Sequence, residues 1–486
     1  MKILINSDKN KKIYQILFNI FLLLVLPIAV LAPVGVWIPL ILMAIIMFCS
    51  TKSFKNITFD KKYIILLLTF ILVTLLSCFI FNFKIKTINS LISLYFILFS
   101  LLSILSMYEV KNNFKPYTIK LVISLMISSF LIILDSIFQL GLKLWLSNNL
   151  DFNNFNNFYT FKKWISFTEF QKNHQLIIEN YLGNTYDRGI TAISVLALPI
   201  SALCIFLNFK KTAFLVLFFT TIVLFTFFNI AALISFLLAF LLFSCLVYIR
   251  FFKKKTLLIV MLIYFSISPI FLGNLNYKNL SNYQNEIETR FDLLQNKILN
   301  DYPFFYNNNN NYSFYQMAVN AFNKSDKKTP IFLHSLNYYL LKLEEKIIHR
   351  RVIWSFSKQK IFERPLFGYG IFSSRDIGDQ YKIIDNVNQI LPAIPLHPHN
   401  NILQIWLELG VVGIILFYIF ICIFINKIYK IKKINRQFAA FSLASLFQIF
   451  LIGQFSYGFW QIWWISTIFI NILIYNILYK MLLQVK

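Results

Sequence analysis

Pro395-Leu-His-Pro-His-Asn-Asn-Ile-Leu-Gln-Ile-Trp-Leu-Glu-Leu-Gly410-Val-Val-Gly413 joins a long polar segment to an apolar run that continues to about residue 426. A run of that length is enough to cross the roughly 30 Å hydrocarbon core of a bilayer as a helix. Helix is also the expected spanning form, because backbone groups in lipid need internal partners. Two histidines and two asparagines stand at the junction. The chain has only three other histidines, His174, His334 and His349.

Further runs of spanning length recur outward from this junction. Twelve are read at about 13–31, 33–49, 63–81, 88–107, 119–141, 189–207, 212–228, 230–249, 256–274, 401–426, 437–455 and 459–479. Composition agrees. Hydrophobic residues make up 58% of the 486, and charged residues 14%. A soluble chain carries roughly 25% charged residues. The expected class is an all-α polytopic membrane protein with about twelve transmembrane helices. It divides into 1–274 (spans 1–9, with an external loop over 142–188), a large, partly helical external loop over 275–398, and 399–486 (spans 10–12). No cleavable signal peptide is evident at the basic start, because the apolar stretch that follows is long and runs into a second one.

Lysine and arginine in the short loops set the orientation. They cluster before span 1 and after spans 2, 4, 6, 8, 10 and 12, whereas the opposite short loops carry only Lys84 and Lys86. Both termini are therefore expected in the cytoplasm, and the two long loops and all five histidines on the other side. The net charge of +26 is accounted for largely by this pattern. Nucleic acid is not an expected partner, since the basic connectors form no domain of their own. All five cysteines fall inside spans, read as small apolar packing residues.

Arginine usage sharpens the picture. The chain has 38 Lys against 8 Arg, and six of the arginines, Arg188, Arg290, Arg350, Arg351, Arg364 and Arg375, lie on the external side. A guanidinium fork suits phosphate and diphosphate because it binds two oxygens at once and keeps its charge. Salt bridges with loop carboxylates such as Glu363 are the alternative for each. All eight tryptophans also map to the external half, which fits an interfacial aromatic belt. Stacking on sugar rings is the alternative for Trp354 and Trp406. Residues 350–364 read as a helix with apolar residues on nearly every side, hence packed, and Pro365 stops it.

At the junction, Asn400 or Asn401 can cap the helix. The helix N-terminus favours an anion nearby and a neutral neighbouring imidazole. A neutral imidazole can take a proton from a sugar hydroxyl. The plainer reading is that His397 and His399 hydrogen-bond the loop. A zinc site is disfavoured because no Cys or acidic cluster completes a ligand set.

His399-Asn400, nine residues, Gly410, two residues and Gly413 resemble the signature of the bacterial O-antigen ligase family, which shares a superfamily with O-antigen polymerases and some O-linked protein glycosyltransferases. Asp187-Arg188-Gly189-Ile-Thr resembles the family's start of the span after the first long external loop. His349-Arg350-Arg351-Val-Ile-Trp354, Glu363-Arg364-Pro365-Leu-Phe-Gly368-Tyr-Gly370 and Ser374-Arg375 resemble the run before the histidine motif. The chain departs from the pattern at Asp187, where Asn is expected, and at Asn229-Ile-Ala-Ala, where relatives often carry Ser-Arg.

The resemblance implies a GT-C-like glycosyltransferase on the periplasmic face of the bacterial inner membrane. It would move a glycan from undecaprenyl diphosphate to a sugar hydroxyl of lipid A–core, without metal or nucleotide cofactor. By position, His399 would activate or orient the acceptor hydroxyl, and Arg188 and Arg350 would hold the diphosphate. Arg351, Arg375, His397 and Asn400 complete the expected substrate-binding set. Polymerase and protein-glycosylating relatives share this chemistry. A lipid-linked glycan transporter is the competitor of another class, but the spans are nearly free of the ionisable groups transport needs, with Asp135 in span 5 and Glu408 near the entrance of span 10 as the exceptions.

Overall fold

The computed structural model describes residues 7–31, 37–38, 41–42, 61–80, 90–95, 98, 115–137, 186–226, 229–249, 251–273, 347, 350–380, 382–384 and 390–484. The labelled helices are α1 (Ser7–Leu31), α2 (Lys61–Ile80), α3 (Lys115–Ile137), α4 (Asp187–Phe206), α5 (Lys210–Thr226), α6 (Ile230–Tyr248) and α7 (Lys254–Leu272), then α8 (350–363), α9 (Ser374–Gln380), α10 (Asn401–Ile434), α11 (Arg436–Phe455) and α12 (Ile462–Gln484). Ten of the twelve expected spans fall on these helices. Those at 33–49 and 88–107 lie mostly outside the described residues, as does the external loop over 142–188 as far as residue 185.

Seven of the described helices are long and apolar enough to cross a membrane. The chain is a multi-pass helical membrane protein. One departure from an all-helical reading is a short antiparallel ribbon, β1 (Lys382–Ile384) with β2 (Ile390–Pro392), in register Lys382↔Pro392 and Ile384↔Ile390. Its strands carry β-branched isoleucines on either side of a polar Asp-Asn-Val-Asn stretch, a pattern that suits a hairpin better than another helical turn.

The chain divides into two compact units, and their boundaries fall inside α7 and α10, not at the ends of the large loop. The first unit takes α1 to α6, α7 up to Met261, and everything from Leu416 onward. Its centre is α4, which touches α1, α3, α5, α6, α11 and α12. The sequence explains why. Ala192, Ser194, Ala197, Ser201 and Ala202 are small, and small residues let helix backbones approach closely where lipid offers no hydrophobic drive. Buried polar groups add links. Asn471 donates to the Val195 carbonyl (2.9 Å) and to Ser445 Oγ (2.8 Å). Trp463 and Trp464 pack with Val195 and Ile452 in the core. Trp460, Trp463 and Trp464 are thus buried core residues rather than an interfacial belt, because their rings fill space beside a helix of small side chains.

The second unit takes Leu262–Ile415 among the described residues. Its core joins Ile353, Trp354 and Ile361 of α8 to Ile377 of α9, Ile394, and Leu403 and Leu407 of α10. Helix α8 is packed as its sequence predicts.

Candidate functional site

In the second unit, α10 starts from a complete cap. Asn400 Oδ1 accepts the N–H groups of Ile402 and Leu403, each at 3.0 Å. The Asn400 side chain is also hydrogen-bonded to the Tyr264 hydroxyl. Asn400, not Asn401, makes the cap, and at 2% exposure its carbonyl oxygen is committed to the helix.

His399 sits immediately before that cap with φ 53°. Histidine adopts this left-handed backbone more readily than most residues, yet it still costs on the order of 1–2 kcal/mol. Three neighbours hold it there. The His399 N–H donates to His397 Nδ1 at 3.1 Å. The Trp354 indole donates to the Pro398 carbonyl at 2.9 Å. Asn400 is locked by its cap. Residues kept in sparse backbone regions by such over-determination cluster at functional sites.

The two imidazole rings meet edge to face, 4.5 Å apart. His397 is buried. Burial, and then the adjacent His399, push its imidazole down to about 3. It is therefore neutral at physiological pH. Because Nδ1 accepts a hydrogen bond, the proton resides on Nε2. His397 thus acts on His399, and the half-buried His399 is the more open of the two.

Helix α8 carries Arg350 and Arg351, both half-buried. Arg350 lies one turn before Trp354 on the same helix face, so it shares the face that holds Pro398. Burial depresses the Arg350 guanidinium, although a guanidinium remains charged at neutral pH. Arg375 lies on α9 in an exposed ion pair with Asp379 at 3.8 Å. Glu363 pairs with Lys360 at 2.8 Å and accepts the Tyr369 hydroxyl at 2.6 Å, while Arg364 lies over the Tyr369 ring at 4.7 Å. Trp354 and Trp406 are both tied to carbonyls, Trp406 to Phe265 at 2.8 Å, so each serves packing.

Below the histidines, Gly410 breaks α10 with φ 61° and ψ −155°. In an unbroken helix Val411 and Val412 would donate to Leu407 and Glu408. Here Val411 and Val412 donate to Pro365 and Leu366, and the Leu407 and Glu408 carbonyls accept from Tyr369 and Gly370. The turn after α8 thus replaces both lost helical bonds. A Cβ on Gly410 would stand 2.4 Å from the Leu366 carbonyl carbon, and one on Gly368 (φ 66°) 2.5 Å from that of Glu408.

Just above the break lies the fully buried Glu408. Its carboxylate accepts Phe372 N–H at 2.8 Å, Gln404 Nε2 at 3.0 Å and the Ser374 hydroxyl. The sequence marks Glu408 only as a charge inside an apolar run. A carboxylate one helical turn after Gln404 is the trace it leaves.

In the first unit, Arg188 is half-buried at the start of α4, 6.0 Å from the centre of the Trp463 ring. The adjoining groups form a polar cluster. Asn229 donates to Asp187 Oδ1 (3.3 Å), to the Asp187 carbonyl (3.2 Å) and to Thr191 Oγ1 (3.3 Å), and it caps α6 by accepting Ala232 N–H at 3.1 Å. The Tyr457 hydroxyl lies 3.0 Å from Thr191 Oγ1 and donates to the Asp187 carbonyl at 3.2 Å. Burial raises the Tyr457 phenol further, so it stays protonated. The two departures from the family pattern, Asp187 and Asn229, are direct hydrogen-bond partners. Thr191 closes the Asp187-Arg188-Gly189-Ile-Thr run, whereas Tyr457 has no sequence signal of its own.

Comparison with known proteins covers the histidine site of the second unit. The O-antigen ligase family model matches residues 196–418, a stretch that contains Arg350, Arg351, Arg375, His397, His399 and Asn400 and begins after Arg188. A Rickettsia conorii protein named "Putative polysaccharide ligase" is 41% identical over 129 residues, 26% of this chain and 31% of that protein. A namesake from Rickettsia prowazekii is 37% identical over 135 residues, 27% of this chain and 33% of its own. The chain thus spans about a third of the length of these relatives. Residues 196–418, with the ordered histidine motif inside them, are thus similar to the O-antigen ligase family.

Proposed function

We propose that the chain is a lipid-diphosphate-dependent glycosyltransferase of the O-antigen ligase type. It moves an O-antigen or similar glycan from undecaprenyl diphosphate to a sugar hydroxyl of lipid A–core, at the periplasmic face of the inner membrane, with both termini cytoplasmic. The observation that carries this reading is His399, held in a left-handed backbone at the start of α10 by His397, Pro398–Trp354 and Asn400.

The acceptor oxygen attacks the anomeric carbon as the bond from that carbon to the diphosphate oxygen breaks. His399 takes or orients the acceptor proton, and undecaprenyl diphosphate leaves. Arg350, on the α8 face that holds Pro398, compensates the charge gathering on the leaving group. Arg188 is assigned a phosphate contact within its own unit.

The test is a gel profile of lipopolysaccharide and lipid-linked glycan from a strain lacking the gene, complemented with wild-type or His399→Ala protein. Bare lipid A–core with accumulated long lipid-linked polymer, uncorrected by the variant, is the expected result. Core capped by a single repeat unit would instead mean a polymerase. An unchanged profile would defeat this reading.

A further inference from the structure

An open pocket of about 530 Å³ lies wholly within the first unit, where the start of α7 meets the end of α10 and the start of α11. Lys253, Lys254, Lys432 and Arg436 line it, together with Ile249, Phe251, Phe252 and Tyr429. Among the described residues, none that line it is acidic. The chain has no Asp or Glu between Asp187 and Glu286, and none after Glu408. Neither contributing stretch therefore supplies a carboxylate to neutralise these cations.

Orientation alone explains why lysines occur in these connectors. It does not explain why two connectors far apart in sequence bring their cations to one concavity and fix them there. The Lys432 ammonium lies 4.6 Å from the centre of the Phe251 ring and 5.4 Å from that of Tyr429. Tyr429 is tied to the Phe252 carbonyl at 2.5 Å. Arg436 Nε donates to the Leu246 carbonyl at 2.9 Å, which sets the orientation of its guanidinium. Holding like charges together without a counter-charge is unfavourable unless an anion joins them.

Apolar surface continues from the rim. Ile249 is 76% exposed and Phe252 48%, and the outward residues Ile259 and Val260 of α7 are exposed as well. We infer that this pocket binds the phosphate of an anionic lipid headgroup, with the acyl chains along Ile249, Phe252 and the outer side of α7. Basic pockets between helices at the positively charged side of a membrane suit this ligand class.

The test uses the full-length chain, purified in detergent and supplied with phosphatidylglycerol, phosphatidylcholine or inorganic phosphate. Phosphatidylglycerol should raise Tm by a few degrees, and phosphatidylcholine should not. Lys432→Gln and Arg436→Gln should each remove at least half of the rise. Equal shifts with both lipids, or an undiminished shift in the variants, would overturn the site. An equal rise with inorganic phosphate would overturn the lipid assignment in favour of a soluble phosphate. Arg436 also holds Leu246, so if its variant fails to fold, the exposed pair Lys253→Gln/Lys254→Gln carries the same readout.

Discussion

Val411 gives its N–H to Pro365 at 2.9 Å and not to Leu407, its partner in an unbroken helix. The break in α10 and the turn that ends α8 are thus one structural device, since each satisfies the backbone groups of the other. Unpaired backbone groups at membrane depth cost several kcal/mol apiece. Gly410→Ala adds a Cβ 2.4 Å from Leu366 at a left-handed φ. Destabilisation of about 3 kcal/mol or more is expected, measured as a large drop in Tm and in the yield of folded protein.

Trp354→Phe tests the support of the histidine turn. The ring is retained and the hydrogen bond to Pro398 is lost, leaving a buried carbonyl short of its donor. A cost of about 1–2 kcal/mol is expected. Because His399 is one residue from Pro398, glycan transfer should fall more than stability does. Parallel measurement of Tm and transfer rate separates the two, and an unchanged rate would remove Trp354 from the positioning of His399.

Glu408→Gln should destabilise through a defined mismatch. The carboxylate accepts from three donors, whereas an amide presents one oxygen and two N–H groups to the same partners. Loss of about 1–3 kcal/mol is expected, readable by thermal unfolding, with Glu408→Leu worse.

Acid should unfold the histidine turn. The folded-state pKa of His397 is depressed to about 3 from the ordinary 6.5, so the unfolded state binds more protons between those values. Stability is full above about pH 6.5 and is lost as pH falls toward 3. Tm followed from pH 7.5 to 4 should decline in the wild type. His397→Gln, which cannot titrate, should flatten the decline while lowering stability at pH 7.

The arginines should separate. Arg350→Ala is expected to cost about 100-fold or more in transfer, the scale of losing a group that stabilises transition-state charge. Arg375 and Asp379 form an exposed pair worth about 0–1 kcal/mol, so Arg375→Ala should leave stability nearly unchanged. A transfer loss in Arg375→Ala as large as that in Arg350→Ala would place a phosphate contact there as well. Transfer assays on protein of matched Tm decide between them.

The sequence by itself determined the elements that depend on local chemistry. Apolar runs of bilayer length place α4 to α7, α11 and the starts of α10 and α12 within a few residues, because hydrocarbon solvent demands them, while α10 and α12 run eight and five residues past the read ends. The His399-Asn400 motif, the end of α8 at Pro365 and the capping position at Asn400 or Asn401 were legible for the same local reason. Only the tertiary structure decided which asparagine caps. It also showed that Gly368 faces the Leu407–Glu408 backbone and Gly410 the Pro365–Leu366 backbone, that Glu408 is a satisfied buried carboxylate, and that Trp460, Trp463 and Trp464 are core. It paired Asp187 with Asn229, two positions that read as unrelated departures along the chain. All but the cap, which Asn400 makes to Ile402 and Leu403, depend on partners tens to hundreds of residues away. Periodicity and propensity carry no information about such partners, because a side chain's role there is set by the donors and backbone that packing brings against it.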